Sequence, residues 1–328
     1  MNTTHRRRSF FRPTGIAAAL SLSFAAGAAH ALAFTFQPVV FPNDTFTQLL
    51  GINNGGTIAG YHGAAINKGF TLTLPNSFTD ENFPGSAQTQ VVGINAAGQT
   101  AGFFVDAGGL THGFTQVNGV FKTVDAPGTA FNQLLGLNNA GRLAGYSSTD
   151  PAGATLQSAF LGTQGSNVFS RFTFPAGTGN SQATGVNNAG VASGFYVDTG
   201  GVNHGFLSTD GVTPKTTDVP GSTFTQVLGL NNLGEAVGVT TINNVQHGFI
   251  DNNGAFQIID DPLGLGSTTV NGVNDLGQLV GFYVNGAEQT VGFVATPRAA
   301  QVDAPALLPL MGIGGLALVG LRWRRRRA

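Results

Sequence analysis

Along this chain apolar runs alternate with turn residues in one recurring order. An apolar stretch ends in Gly, a turn opens on Asn and closes on Gly, a small-to-apolar stretch ends in Gly, and a Phe follows. Gln133-Leu-Leu-Gly136-Leu-Asn-Asn-Ala-Gly141-Arg-Leu-Ala-Gly145-Tyr and Gln226-Val-Leu-Gly229-Leu-Asn-Asn-Leu-Gly234-Glu-Ala-Val-Gly238-Val display the match. The turns run from Asn53 to Gly56, Asn95 to Gly98, Asn138 to Gly141, Asn187 to Gly190, Asn231 to Gly234 and Asn274 to Gly277. The leading Gly falls at 51, 93, 136, 185, 229 and 272, so the spacings are 42, 43, 49, 44 and 43 residues. A period in that range marks a supersecondary unit stacked on its neighbours.

Each unit reads as four strands. Gln133 to Leu137 and Arg142 to Tyr146 flank the turn, where Asn first and Gly fourth suit a type I turn closed by a left-handed residue. A third strand carries Phe70, Phe114, Phe160, Phe206, Phe249 or Phe293, and a fourth, such as Val120 to Val124, runs into a Pro-Gly turn such as Pro127-Gly128. About forty residues for four strands is the size of one β-propeller blade. The sixth unit stops after its third strand, near Gly292-Phe293-Val294, while residues 34–42 precede the first unit with no partner in sequence order. Aligning Phe46 to Gly51 with Phe131 to Gly136 sets Phe36 on Phe121, Val39 on Val124 and Pro42 on Pro127. Residues 34–42 therefore read as a displaced fourth strand that completes the last blade and removes the exposed sheet edges. The fold expected is all-β, a closed six-bladed propeller over 34–297. The extra length of the third unit falls in Ser147 to Gln157 and around Gly162 to Asn180, as loop insertions.

Both chain ends read as addressing segments. Arg6, Arg7, Arg8 and Arg12 precede an Ala-rich apolar stretch from Gly15 to Ala29, with small-x-small cleavage options ending at Ala31 and Ala33. Residues 1–33 are thus expected to be an export signal. Arg7-Arg8-Ser9-Phe10-Phe11-Arg12 is either the basic region of a general signal or, by resemblance, a twin-arginine signature. At the other end a linker and motif (298–305) with Val302, Asp303, Ala304 and Pro305 lead into an apolar segment (306–321), followed by a basic tail (322–328) with Arg322, Arg324, Arg325, Arg326 and Arg327. The apolar segment, 16 residues long, is short against the roughly 20 of a full membrane span. The arginines behind it would stay cytoplasmic. This three-part tail resembles the PEP-CTERM sorting signals of Gram-negative bacteria, although the acidic residue sits early and the first Pro of that motif is missing. The resemblance implies an exosortase-like membrane protease as partner beside the export machinery; an ordinary membrane anchor is the alternative.

Setting the ends aside changes the charge. Nine of fifteen basic residues lie in the two end segments, whereas all sixteen acidic residues lie between Asp44 and Asp303, so 6 minus 16 leaves the domain at −10. An acidic domain of this kind repels nucleic acid. With no Cys, no disulfide braces the exported domain, and its stability must come from burial and ring closure.

The repeat resembles the HAF repeats of bacterial extracellular proteins, in which such a turn precedes a His-Ala-Phe triplet. Here the triplet appears as His112-Gly113-Phe114, His204-Gly205-Phe206 and His247-Gly248-Phe249, with Lys68, Ser158 and Val291 in the His place of the other units. The family implies extracellular location and architecture and brings no established chemistry.

Three imidazoles at equivalent places suit an open zinc site if they converge. A repeated His more often does one local job in every blade, donating to a backbone carbonyl beside the Phe, so His112, His204 and His247 are weak metal candidates and no cofactor is expected. Asp260 and Asp261 are adjacent and would point to opposite faces of a strand. Asp125 and Asp218, each before a Pro-Gly turn, read as turn caps. The Asp-x-Gly-Gly stretches at Asp106 and Asp198 have too few oxygen ligands for calcium. No nucleophile elbow, phosphate loop or zinc helix is present. A non-enzymatic surface or matrix protein with a structural or interaction role is therefore expected, its partner a surface polysaccharide or protein. The alternative is a glycan-binding propeller using Tyr61, Tyr146, Tyr196 and Tyr283 as exposed aromatics, although all four follow or nearly follow the second Gly of a unit, a place that equally suits the core; a propeller hydrolase or lyase ranks third.

Overall fold

The computed structural model describes residues 32–176 and 178–298. The export signal expected over 1–33, save its last two residues, and everything expected from 299 onward (linker, sorting motif, apolar segment and basic tail) lie outside the described residues. Among those described there is no helix, and hence none long and apolar enough to cross a membrane.

Six four-stranded antiparallel sheets form the blades. A lone first strand, β1 (Phe34–Val39), comes before blade 1: β2 (Thr47–Ile52), β3 (Thr57–His62), β4 (Lys68–Thr73) and β5 (Ser77–Asp80). Blade 2 is β6 (Gln88–Ile94), β7 (Thr100–Val105), β8 (Thr111–Val117) and β9 (Val120–Thr123); blade 3 is β10 (Phe131–Leu137), β11 (Arg142–Ser148), β12 (Ser158–Thr163) and β13 (Ser170–Arg171). Blade 4 is β14 (Ser181–Val186), β15 (Ala192–Val197), β16 (Asn203–Ser208) and β17 (Lys215–Thr216); blade 5 is β18 (Phe224–Leu230), β19 (Glu235–Ile242), β20 (Val245–Asn252) and β21 (Ala255–Ile259). Blade 6 has only three strands of its own, β22 (Thr269–Val273), β23 (Leu279–Val284) and β24 (Thr290–Pro297), and β1 supplies the fourth. The pairing runs from Phe34 opposite Pro297 to Val39 opposite Gly292, as the alignment of residues 34–42 required.

The fully buried Phe of each third strand, Phe70, Phe114, Phe160, Phe206, Phe249 or Phe293, sits opposite the second Gly of its unit in the strand pairing. A Cβ on Gly194 would stand 2.6 Å from the Phe206 ring, so the glycine is the space into which the ring packs. Six hydrophobic clusters result, one at each blade-to-blade interface. The cluster that closes the ring joins Val280 and Val294 of blade 6 and Val39 of β1 to Leu49, Ile58, Phe70 and Leu72 of blade 1. With each buried aliphatic or aromatic side chain contributing roughly 1.5–3 kcal/mol, this seam is sealed in the same way as those within the array.

At the axis the repeated turns do more than reverse the chain. Each closes with Gly in the left-handed region, Gly141 at φ 75° for example, as the turn type requires. The leading Asn then uses both ends of its amide. Its Oδ1 accepts from its own turn, as Asn138 does from the N–H groups of Ala140 (2.9 Å) and Arg142 (2.8 Å). Its Nδ2 donates to the carbonyl of the corresponding Asn one blade on: Asn53 to Asn95 (3.0 Å), Asn95 to Asn138 (3.3 Å), Asn138 to Asn187 (2.9 Å), Asn187 to Asn231 (3.1 Å), Asn231 to Asn274 (3.0 Å) and Asn274 back to Asn53 (3.1 Å). The circle is complete and buried. A second, more exposed circle links the N–H after the leading Asn to a side-chain oxygen one blade on: Ala96 to Asn139, Asn139 to Asn188, Asn188 to Asn232, Asn232 to the Asp275 carboxylate and Asp275 to Asn54. It breaks between blades 1 and 2, because Ala96 has no side-chain oxygen for the Asn54 N–H.

Each inner strand also carries a bulge just before its leading Gly, as between Leu134 and Gly136. A Cβ on Gly136 would lie 2.8 Å from the Cα of Gly185, so glycine there lets adjacent inner strands meet at the axis.

Two substitutions test the circles by denaturant unfolding. Ala96→Asn restores the missing acceptor and should stabilise the domain by about 1 kcal/mol. Asn138→Ala removes one bond between blades and two within its turn and should cost about 2–3 kcal/mol, since buried partners are left unpaired. Equal, near-zero effects would mean that the Asn circles do not hold the ring.

Candidate functional site

The six inner strands enclose an axial channel. Where the strands begin, on the face opposite the Asn turns, it widens into a cup of about 260 Å³. Below the cup it narrows to about 90 Å³ at the level of the leading glycines and stays at about 90 Å³ where the Asn turns ring its far end.

The wall of the cup is built by repetition. Three residues before the leading Gly, five blades place a glutamine, Gln48, Gln90, Gln133, Gln182 and Gln226, and Tyr61, Phe103 and Phe195 join them from the second strands. The floor is Leu50, Val92, Leu135 and Leu228, interrupted by Thr184 and Asn271, all of them the bulged residues of inner strands. No lining side chain is charged. Desolvation pushes the Tyr61 phenol up to about 12, so it stays a neutral donor. The cup thus offers amides, hydroxyls, aromatic faces and an apolar floor, the chemistry of a site for a neutral, hydroxyl-rich ligand.

Sequence reasoning missed these glutamines, although the signal was there: one residue type at one position in five of six units. Of the two places open to the tyrosines, exposed or core, the structure shows the core. Tyr61, Tyr146, Tyr196 and Tyr283 are 2–8% exposed, so none is an open platform on the rim. Tyr61 and Tyr146 donate to Gln48 Oε1 (2.8 Å) and Gln133 Oε1 (2.9 Å), while the Tyr196 hydroxyl meets that of Thr216 (2.8 Å).

The three histidines of the triplets do not meet. Each stays on its own third strand, and among the described residues no group of His, Cys, Asp and Glu is arranged to hold a metal ion. Their local job differs from the expected bond to a backbone carbonyl. His112 Nδ1 lies 2.6 Å from Asp125 Oδ2, His204 Nδ1 2.7 Å from Asp218 Oδ2 and His247 Nδ1 2.8 Å from Asp260 Oδ2. Asp125 and Asp218 are therefore imidazole partners and not simply turn caps. Their other oxygens accept from the N–H groups of Gly113 (3.1 Å) and Gly205 (3.0 Å), whereas Asp260 Oδ1 is buried without a partner. The Asp-x-Gly-Gly stretches complete the arrangement in blades 2 and 4: Asp106 and Asp198 hold their own turns through Oδ1 and face the His Nε2 through Oδ2 at 3.5 and 3.4 Å. Blade 5 makes that turn with Asn243 and Asn244 at positive φ and brings no second acid to His247.

Solved structures share this architecture. A putative TolB from Agrobacterium tumefaciens is similar over 82% of this chain and 100% of its own, with a TM-score of 0.56 and 10% identity. The SapL1 lectin in complex with alpha methyl fucoside is similar over 77% and 95%, at TM-score 0.50 and 13% identity. AofleA from Arthrobotrys oligospora is similar over 80% and 86%, at TM-score 0.50 and 11% identity. No protein-family model matches the chain, and a search of curated proteins finds no match. At these identities the likeness establishes the fold and leaves the chemistry to the residues themselves.

His204 lies between two carboxylates, and its bond to Asp218, with Asp198 on the other side, raises its pKa above the ordinary 6.5. The folded state therefore holds that proton more tightly than the unfolded chain does. The stability this contributes is fully present below pH 6.5 and is lost as pH rises through the raised folded value. A titration of the His204 ring protons by NMR should give a midpoint above 6.5, and His204→Gln should flatten the stability profile of the domain across that window. A midpoint at or below 6.5 would contradict the geometry.

Proposed function

We propose that this chain is an exported surface propeller that binds neutral glycans in its axial cup. The observation that carries the reading is the cup's lining: five glutamines and three aromatic rings with no charged side chain, in a space of about 260 Å³. At roughly 30 Å³ per water, that is room for about nine waters, and hence for one sugar ring. Amides bond sugar hydroxyls in both directions and aromatic faces cover sugar C–H groups. That one structurally similar propeller is a lectin holding alpha methyl fucoside supports the ligand class. The surface location rests on the HAF-like repeats and on the tail that resembles a PEP-CTERM signal.

Geometry supports display as well. Pro297 Cγ lies 3.2 Å from where a Cβ of Gly277 would stand, so β24 ends beside an Asn turn, and Arg298 N–H donates to the Ala33 carbonyl (2.7 Å). Both ends of the described domain thus leave on the Asn-turn face. A protein tethered through its C-terminal tail would point the cup away from the membrane.

Screening the purified chain on an array of neutral bacterial and eukaryotic glycans should find binders. Gln226→Leu should weaken binding about tenfold, equivalent to roughly 1.4 kcal/mol, at a cost in stability of about 1 kcal/mol from its lost bond to Asn203. The reading fails if nothing neutral binds, or if substitutions in the cup leave binding untouched. Independently, deleting Val302 to Ala328 should release the propeller from the cell envelope on fractionation. Retention as firm as that of the full chain would refute the sorting role of the tail.

A further inference from the structure

The five cup glutamines are not interchangeable, because each is tied at one end of its amide. Gln48 and Gln133 accept tyrosine hydroxyls on Oε1, which leaves Nε2 as the free end. Gln90, Gln182 and Gln226 instead donate through Nε2, to Asn67 Oδ1 (2.7 Å), Gln157 Oε1 (2.8 Å) and Asn203 Oδ1 (3.0 Å), which leaves Oε1 free. The wall therefore presents donors from blades 1 and 3 and acceptors from blades 2, 4 and 5, each held in orientation before any ligand arrives.

Blade 6 breaks the wall. Thr269 stands opposite Phe282 in the strand pairing just as Gln226 stands opposite Val239, so Thr occupies the sixth glutamine place. It is buried, and its hydroxyl accepts from Gln246 Nε2 (3.0 Å). At that level blade 6 contributes nothing to the cup; its one lining residue, Asn271, belongs to the floor. Beneath the floor the channel shrinks to about 90 Å³ at the level of the leading glycines, against about 260 Å³ in the cup, so the room for a sugar ring lies on the strand-start face.

A ligand seated in the cup enters from the strand-start face, and a wall with a short residue on one side fixes where the remainder leaves. We infer that the cup reads the terminal residue of a neutral glycan, with the rest of the saccharide chain leaving over blade 6 above Thr269. This rests on the reading of the cup as a neutral glycan site and adds direction and end-specificity to it.

The test rebuilds the wall. Thr269→Gln places the repeat's own residue in blade 6, and Thr269→Val keeps the wall low as a control. Methyl glycosides of fucose, galactose, glucose and mannose, and the disaccharides and tetrasaccharides that end in each, are titrated calorimetrically into the full chain and both variants. Thr269→Gln should weaken the disaccharides and tetrasaccharides at least tenfold while the methyl glycosides change less than threefold, and Thr269→Val should leave both classes as in the native chain. Oligosaccharides whose terminal residue is chemically capped should not bind. Equal loss for both classes, no loss for either, or full binding of capped chains overturns the exit over blade 6 while leaving the cup as a glycan site. If the native chain binds none of these sugars, the cup reading falls and the inference falls with it. A Thr269→Gln protein that fails to unfold cooperatively is replaced by Thr269→Met, for which the same split between long and short ligands is required.

Discussion

The leading asparagine of each turn is tied at both ends of one amide, and the ring depends on that double engagement. Its carbonyl end shapes the turn that makes a hairpin of the first two strands, and its nitrogen end reaches the next blade at the same depth along the axis. A residue without both a donor and an acceptor on so short a stem does one job or the other. The repeat therefore keeps Asn at 53, 95, 138, 187, 231 and 274 while the unit length varies from 42 to 49 residues. Extra residues are tolerated where they leave these six amides in register, which is why the long third unit carries its surplus in loops around β12.

The leading glycines and the bulges before them follow from the same constraint. Inner strands close enough for one Asn to reach the next leave no room for a Cβ at the contact, and the bulge turns the residue before the Gly into the channel. The axis is thereby narrowed at its waist and lined by whatever side chains the bulge and the strand start present. A device for closing a ring thus creates, without further cost, a cup on the opposite face.

Against this near-sixfold scaffold, departures from the pattern carry the information. Ala96 interrupts the second hydrogen-bonded circle, and Thr269 lowers one side of the cup. The histidine clamps are graded in the same way: a second carboxylate faces His112 and His204, whereas the Asn243-Asn244 turn leaves His247 with one acid only. The clamps lie beyond the inner strands and tie third strands to the segments after the fourth, so they secure blade edges and leave the cup free of charge.

Much of this was legible in contiguous residues. The period, the turn chemistry, the Phe of each third strand and the displaced β1 all follow from local pattern and from the arithmetic of units, because strands and tight turns are decided within a few residues of one another. The bonds between asparagines, the pairing of His with Asp and the cup of glutamines were not legible. Each depends on side chains from separate strands, often 42 to 49 residues apart, being brought to one radius and one height. The sequence by itself determined the blade, its number and the manner of closure, since these are repeated local choices. Only the closed ring decided which repeated residues face the axis, because that position is a property of six blades together and of no single one.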